Sequence, residues 1–173
     1  KLFKKWLGKS QYYRTGQEWA YKDVQPRLIA EKLLKDEGGI SLIDYKFYCF
    51  SGEAKFLEVH LDREQNHKRA FYDFDFKLLP FRYTKPEKTI SSDIEKPSNL
   101  EEMIKLSEIL SANFPFVRVD FYSIEGKAIF GEMTFYPSDG RKDFIPDEYN
   151  KIIGDYINLP KLESGQKVIT KID

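Results

Sequence analysis

Three charged residues, Arg118, Asp120 and Glu132, occur in a segment that otherwise reads as two β-strands, FPFVRVDFYSIEGKAIFGEMTFYP (114–137). Alternate residues of a strand point to the same face, so Arg118 and Asp120 share one face of the first strand. If Glu132 lies on that face too, the two carboxylates repel each other and need a positive partner. Either Arg118 neutralises both acids in a surface cluster without a ligand, or the acids bind a hard cation such as Mg²⁺, which takes carboxylate and phosphate oxygens.

The turn between these two strands decides whether the charged side chains meet. A two-residue loop around Gly126 would send Glu132 to the face opposite Asp120, because a shift of one residue reverses every side chain. A three-residue loop would pair Asp120 with Glu132 and Arg118 with Thr134, and Gly126 can supply the left-handed conformation that such a loop needs. A shared metal site therefore predicts an odd-length turn.

Composition narrows the classes of function. The chain has 173 residues, and its 28 Lys and Arg balance its 28 Asp and Glu, so no net field attracts nucleic acid or an anionic membrane. The longest apolar runs are far shorter than the roughly 20 residues of a membrane-spanning helix. One cysteine, Cys49, excludes an internal disulfide, fits a reducing, cytoplasmic setting and is predicted to be a buried thiol. Two histidines, His60 and His67, are too few for a zinc site or a Ser-His-Asp triad.

The hydrophobic pattern predicts an α+β fold with an antiparallel β-sheet, not a regular βαβ alternation. The expected elements are a helix at 2–7, a buried strand at 27–34, a hairpin of strands 41–50 and 53–62, a helix that begins at 98, the hairpin at 114–137 and a short helix near 147–157. Helices are expected to pack on one side of the sheet.

Two of these elements carry more detailed predictions. In the first hairpin, Asp44, Lys46, Tyr48 and Phe50 share one face, which we expect to open towards solvent or a ligand. In the long helix, Ser98 and Glu101 have the spacing of a capping box. The expected inward stripe of that helix is Leu100, Met103, Ile104, Ser107 and Leu110.

RVDF, followed twelve residues after its aspartate by E-x-T-x-x-P, resembles the metal-binding end of the ATP-grasp fold. The arrangement is similar to that of D-alanine–D-alanine ligases, and more closely to that of the TupA-like ATP-grasp family, which is found among bacterial capsule and cell-wall polysaccharide genes. IAEKLL, DYKFYCFSGE, NLEEMIKLSEILSANFPFVRVDFY and FGEMTFYPSDG resemble the motifs of that family in order. The resemblance covers about residues 27–155.

The resemblance implies roles for the residues of the second hairpin. Asp120 and Glu132 would hold the Mg²⁺ ions that bridge the phosphates of ATP. Thr134 stands where many ATP-grasp ligases have asparagine, so its hydroxyl would face metal or water. Arg118 would face the transferred phosphoryl group and stabilise its charge.

The resemblance also implies a nucleotide site on the earlier elements. Glu31, Lys32, Leu33 and Leu34 correspond to the hinge that meets adenine. Asp44 would bind the ribose hydroxyls and Lys46 a phosphate. The alternative for Glu31, Asp44 and Lys46 is a solvated strand edge without a ligand.

The function implied is an ATP- and Mg²⁺-dependent ligase. It would activate a carboxylate of a small molecule, glycan or peptide as an acyl phosphate, which an amine then attacks, in surface polysaccharide or cell-wall biosynthesis. No lysine-bearing phosphate loop precedes residue 27. We therefore expect this single domain to be the C-terminal portion of a longer enzyme whose N-terminal domain is missing, and to be inactive alone.

Two other functions stay open at this stage. Asp73-Phe74-Asp75 matches the D-x-D pattern of glycosyltransferases that use nucleotide sugars, although AFYDFDF (70–76) is also typical of core aromatics with their aspartates outside. A non-catalytic remnant that keeps the hairpin is the third possibility.

Overall fold

A computed structural model describes residues 2–10, 12–13, 16–34, 42–63, 65–84, 88–90, 94–161 and 164–165. The helices are α1 (Leu2–Leu7), α2 (Leu100–Ser111) and α3 (Glu148–Gly154). The strands are β1 (Asp44–Phe50), β2 (Glu53–Leu61), β3 (Lys68–Tyr72), β4 (Arg82–Tyr83), β5 (Lys88–Thr89), β6 (Val117–Ile124), β7 (Lys127–Thr134) and β8 (Phe144–Ile145). Short 3₁₀ turns cover Trp19–Tyr21 and Pro137–Gly140.

Six strands form one sheet in the order β5-β3-β2-β1-β6-β7, and β4 pairs with β8 in a separate ribbon. All neighbours in the six-stranded sheet are antiparallel except β3 and β5. The hairpin of β1 and β2 turns at Ser51 and Gly52, as its sequence predicted. Both turn residues have positive φ, which suits a tight hairpin turn. The α+β fold class with a mainly antiparallel sheet is confirmed.

The hairpin of β6 and β7 closes differently from the prediction. Its loop has two residues, Glu125 (φ 51°) and Gly126 (φ 71°), so the expected three-residue loop is wrong. Paired positive φ values give the tight turn whose twist suits a hairpin. From this turn alone, Asp120 would oppose Gly131.

A β-bulge at Gly131 restores the predicted pairing. The register shifts by one residue beyond Phe121, so that Asp120 lies opposite Glu132, as the shared site requires. A bulge places one extra residue on one strand and rotates the residues that follow. A Cβ atom on Gly131 would lie 3.1 Å from the carbonyl oxygen of Asp120, which explains why a glycine occupies this close approach.

One face of the sheet packs against α2. Leu100 and Met103 of this helix join the odd-numbered residues of β1, such as Phe47, in the main hydrophobic core. Of the predicted inward stripe, Leu100, Met103 and Ser107 are buried and Ile104 packs against the core, whereas Leu110 is 38% exposed and Ser111 is buried instead.

The predicted capping box of α2 is not formed. The helix begins at Leu100, and its N-cap residue is Asn99, which makes no side-chain cap hydrogen bond. The Asn99 side chain instead accepts a hydrogen bond from the hydroxyl of Ser123 at 2.8 Å, which ties the start of α2 to β6. Sheet contact thus takes the place of a local cap.

The opposite face of the sheet is divided into an apolar end and a charged end. At the apolar end, Tyr48 and Phe50 of β1 pack with aromatic residues of β2 and β3 and with Ile153 of α3. Because α2 and α3 lie on opposite faces, the expectation that helices pack on one side of the sheet is wrong. At the charged end lie the earlier residues of the same face, Asp44 and Lys46. The β4–β8 ribbon adds Tyr83 and Phe144 to the apolar end.

Residues 27–34 do not form the predicted buried strand. They are irregular and mostly exposed, with Ile29 81% accessible. In the described part of the chain no strand pairs with this apolar run, so no neighbouring strand stabilises it as a strand despite its β propensity. None of the helices in the described residues is long and apolar enough to cross a lipid bilayer.

Candidate functional site

Six side chains of alternating charge form a continuous line of ion pairs, the charge row, across the charged end of the sheet. In order these are Arg63, Asp44, Lys46, Asp120, Arg118 and Glu132. β1 supplies two of them, β6 two, β7 one, and Arg63 follows β2. The row exists because β1 lies between β2 and β6 and places Lys46 directly opposite Asp120.

The middle of the charge row is buried. Asp44, Lys46 and Asp120 are at most 3% exposed, which corrects the expectation that this face opens to solvent. Charges leave water only when they are paired and hydrogen-bonded. Lys46 contacts both aspartates, with its Nζ 2.8 Å from Asp44 Oδ2. Arg63 supplies the second cation for Asp44 at 2.9 Å.

Arg118 and Asp120 form a bidentate pair. Arg118 Nε donates to Asp120 Oδ1 and Nη2 to Oδ2, both at 2.7 Å. Burial alone would lower the pKa of Arg118, but the hydrogen bonds and charge of Asp120 raise it above its ordinary value. The guanidinium is therefore permanently charged and fixed in orientation.

Glu132 and Thr134 lie at the outer end of the charge row. Arg118 Nη2 donates to Glu132 Oε1 and to the hydroxyl oxygen of Thr134, both at 3.0 Å. The Thr134 hydroxyl in turn donates to Glu132 Oε1 at 3.1 Å. Glu132 is 62% exposed, so one carboxylate of the pair is accessible while Asp120 is not.

The donor set suits a metal ion that arrives with other oxygen ligands. Among the described residues no group of three or more His, Cys, Asp or Glu side chains could hold a metal. Glu132 offers an accessible carboxylate, and Asp120 opposite it has a second one whose oxygens are bonded to Arg118 and Lys46. Mg²⁺ is commonly held by one or two carboxylates plus substrate phosphates. The residues thus fit Mg²⁺ as part of a nucleotide complex and not as a protein-only site.

A cavity of about 430 Å³, the first cavity, brings most of the predicted nucleotide residues together. It is lined by Glu31, Lys32, Leu34, Asp44, Lys46, Arg63, Asp120, Tyr122, Ile129, Phe130, Gly131 and Glu132. Leu33 is outside this lining and is 75% exposed. The segment 31–34 thus reaches the cavity without being a strand.

A cavity of about 230 Å³, the second cavity, adjoins the first and shares Lys46, Arg63 and Glu132 with it. It is lined in addition by Tyr48, Glu58, His60, His67, Arg69, Tyr83, Arg118, Ser138 and Lys142. Sequence reasoning found Arg118 but missed Glu58, His60 and Arg69. The period of two in EAKFLEVHLD would have identified Glu58 and His60 as polar residues on one face.

Glu58 is the buried acid of the second cavity. Tyr48 donates to Glu58 Oε2 at 3.1 Å, while His60 Nε2 and Arg69 Nη1 lie 3.1 and 3.3 Å from Oε1. Burial would raise the pKa of Glu58, but the close contact and charge of His60 and the charges of Arg69 and Arg118 lower it overall. Glu58 is therefore a fixed anion within a mainly cationic wall.

The glycosyltransferase-like motif lies elsewhere. Asp73 accepts a hydrogen bond from the backbone N–H of Lys77 at 2.8 Å, and Asp75 pairs with the Lys77 side chain at 3.0 Å. Phe74 packs against the main core, and neither aspartate lines the first or second cavity. This geometry is a turn with packed aromatics. Cys49 is buried, as predicted, and burial raises the pKa of its thiol to about 11.

Comparison with known proteins identifies a family. The family model described as TupA-like ATPgrasp matches residues 1–158. No curated protein matches the sequence significantly. No solved structure does either. Because the match includes the first residues, it does not confirm the expectation that the chain is the C-terminal portion of the enzyme. It spans most of the chain and includes both hairpins, so the chain belongs to the TupA-like ATP-grasp family.

Proposed function

We propose that the charge row and the first cavity bind ATP with Mg²⁺, and that the protein is a carboxylate–amine ligase. Membership of the ATP-grasp family indicates an ATP-dependent ligase-type function. The observation that carries the proposal is the pairing of Asp120 with Glu132 beside a cavity that also contains the 31–34 segment, Asp44 and Lys46.

In this proposal the first cavity takes the nucleoside. Lys32 and Leu34 line its outer part and are the contacts proposed for adenine, together with Glu31 and the neighbouring Leu33. Asp44 at the inner wall would accept hydrogen bonds from the ribose hydroxyls. A cavity of about 430 Å³ lies within the range of sites that bind small ligands.

The phosphates are proposed to lie along the charge row. Mg²⁺, when bound, would neutralise phosphate charge. Asp120 and Glu132 would each offer a carboxylate oxygen to it, with the hydroxyl of Thr134 beside them. Lys46 would then exchange a carboxylate contact for a phosphate oxygen. Arg118 would stay bound to Asp120, and its remaining N–H groups would donate to the transferred phosphoryl group.

The reaction class is the finer part of the proposal. A carboxylate oxygen would attack the terminal phosphorus of ATP, and ADP would leave with the electron pair of the broken P–O bond. An amine would then attack the acyl carbon and release inorganic phosphate, its surplus proton passing to solvent. The family resemblance supports a small-molecule, glycan or peptidyl carboxylate as acceptor, in cytoplasmic steps of surface polysaccharide or cell-wall synthesis.

The test is calorimetric titration of the complete natural protein with ATP in the presence of Mg²⁺. Glu132→Gln removes the accessible carboxylate and is expected to weaken Mg-ATP binding on the order of tenfold to a hundredfold. Asp75→Asn is the matched control, since it neutralises an exposed acid that lines neither cavity and should bind Mg-ATP normally.

Three outcomes distinguish the candidate functions. Unchanged Mg-ATP binding in Glu132→Gln would overturn the metal assignment. Binding of an Mn²⁺–nucleotide sugar that is lost in Asp75→Asn would favour the glycosyltransferase. If the complete protein binds neither nucleotide, the ligase and glycosyltransferase hypotheses are both refuted, and the protein is a non-catalytic remnant.

A further inference from the structure

A third cavity, of about 820 Å³, lies over the apolar end of the sheet. Its walls include Phe50 of β1, Phe116 before β6, Phe144 of β8 and Ile153 of α3. Its mouth includes Ile157 and Leu159, which are 41% and 66% exposed. The volume is that of a site for a drug-sized ligand, and such sites are mostly apolar with a few polar groups that fix orientation.

The three cavities follow one another along the sheet. The third shares Tyr48, Tyr83 and Lys142 with the second. The second shares Lys46 and Glu132 with the first. A ligand in the third cavity can therefore reach the second cavity, whose lining contains Arg118. The 31–34 segment lines only the first cavity.

The second cavity is suited to an anionic group. Its lining includes five Lys and Arg side chains, namely Lys46, Arg63, Arg69, Arg118 and Lys142. Against these stand two carboxylates of the lining, Glu58 and Glu132, and the charge-row residues Asp44 and Asp120, which pair with three of the cations. Lys142 lies where this cavity meets the apolar one, with its Nζ 5.0 Å from the centre of the Tyr83 ring. The cations outnumber these carboxylates by one, so a carboxylate at this junction would complete the balance of charge.

The lining of the third cavity also includes the polar residues Asn150, Asp143 and Asp147, and the amide of Asn150 is already engaged. Asn150 Nδ2 donates to Asp147 Oδ1 at 2.8 Å and to the Phe144 carbonyl at 3.4 Å. Asn150 Oδ1 accepts from the Phe144 N–H at 2.8 Å. Both polar atoms of this amide hold α3 to β8, and most of the remaining lining consists of aromatic and aliphatic side chains. This favours an apolar or aromatic ligand over a polyhydroxylated one.

We infer that the third cavity binds the body of the acceptor substrate, and that this acceptor is a carboxylate that carries an aromatic or bulky apolar group. The carboxylate lies in the second cavity near Lys142 and Arg118, and the apolar body lies between Phe116, Phe144 and α3. This inference rests on the proposed ligase function and narrows its acceptor.

The test uses ligand-observed NMR titrations of the complete natural protein with Mg-ADP present. The probes are 4-phenylbutyrate, its neutral analogue 4-phenylbutan-1-ol, and butyrate, which lacks the ring. Glucuronate is the sugar comparator. We expect 4-phenylbutyrate to bind about tenfold or more tightly than each of the other three, because it alone satisfies both cavities.

Gly154 offers a variant that fills the cavity from a wall with free space. It lines the third cavity, and a Cβ atom there would meet nothing within 4 Å. Gly154→Phe should therefore fold and weaken 4-phenylbutyrate binding about tenfold, whereas Gly154→Ala should bind it normally. Lys142→Met should weaken 4-phenylbutyrate and leave 4-phenylbutan-1-ol unchanged.

Mg-ATP binding separates the failure of this inference from failure of the proposed function. Suppose that all variants bind Mg-ATP. The apolar acceptor is then refuted, and the ligase proposal stands, if glucuronate binds more tightly than 4-phenylbutyrate. The same conclusion follows if Gly154→Phe binds 4-phenylbutyrate like the wild type. If the wild type binds 4-phenylbutyrate at the third cavity but not Mg-ATP, the proposed function is refuted instead.

Discussion

The two carboxylates that face each other across β6 and β7 are predicted to differ strongly in their effect on stability. Asp120→Asn and Glu132→Gln each replace a carboxylate with an amide of the same shape. Asp120 is 2% exposed and is bonded by Lys46 and Arg118, whereas Glu132 is 62% exposed. The same chemical change is therefore made in two very different environments.

The magnitudes follow from burial. Breaking a buried ion pair from one side leaves the partner charge uncompensated and costs about 3–5 kcal/mol. Asp120→Asn removes a carboxylate partner from both Lys46 and Arg118. Lys46 keeps Asp44 and Arg118 keeps Glu132, so we expect the free energy of unfolding to fall by about 3 kcal/mol. An exposed pair is worth about 0–1 kcal/mol, so Glu132→Gln should cost less than about 1 kcal/mol.

Urea unfolding without nucleotide or Mg²⁺ at pH 7 measures both values. A further variant, Lys46→Met combined with Asp120→Asn, removes the uncompensated ammonium. It should be less destabilised than the sum of the two single variants by about 0.5–3 kcal/mol. Equal losses for Asp120→Asn and Glu132→Gln, or strict additivity with Lys46→Met, would refute the reasoning that the middle of the charge row is buried and coupled.

Three further predictions concern the bulge, a tyrosine and the cysteine. Gly131→Ala places a methyl group 3.1 Å from the Asp120 carbonyl oxygen, so urea unfolding should show a loss of about 1–3 kcal/mol, while Gly154→Ala, with open space around it, should lose almost none. Burial, and to a lesser extent the charge of Glu58, raises the pKa of Tyr83 from about 10 to about 12. The protonated Tyr83 therefore stabilises the fold fully below pH 10, and this stabilisation is lost as the pH rises from about 10 to about 12. Absorbance at 295 nm during a base titration measures this, and a normal titration of every tyrosine in the folded protein would contradict it. The pKa of Cys49, raised by burial to about 11, predicts that iodoacetamide at pH 8 reacts far more slowly with native than with urea-unfolded protein, as mass spectrometry can follow.

The sequence predicted the pairing of Asp120 with Glu132 but not the means by which it arises. Period-two alternation and the need to bring Arg118 and the acids together were readable from residue types. The bulge at Gly131 was not, because a glycine in a strand is compatible with several backbone paths and only the three-dimensional approach to the Asp120 carbonyl selects one. The predicted three-residue turn was therefore wrong, although the predicted pairing of Asp120 with Glu132 is present.

Burial was the property hardest to predict. Asp44 and Lys46 read as polar residues of an open face, yet ion pairs from neighbouring strands allow them to be buried. Residues 27–34 read as a buried strand, but the apolar run has no paired strand in the described chain and is exposed. In both cases the deciding partners are distant in sequence. Local pattern cannot supply them.

The bulge at Gly131 also bears on how the sheet avoids self-association. In the described part of the chain, β7 is the outermost strand beside β6, and the outer backbone groups of such a strand can template a strand from another molecule. The extra residue interrupts the regular spacing of those groups in the middle of β7, and Glu132, exposed next to it, adds charge at the same point. A distortion that aligns two carboxylates thus also makes this edge a poor template for aggregation.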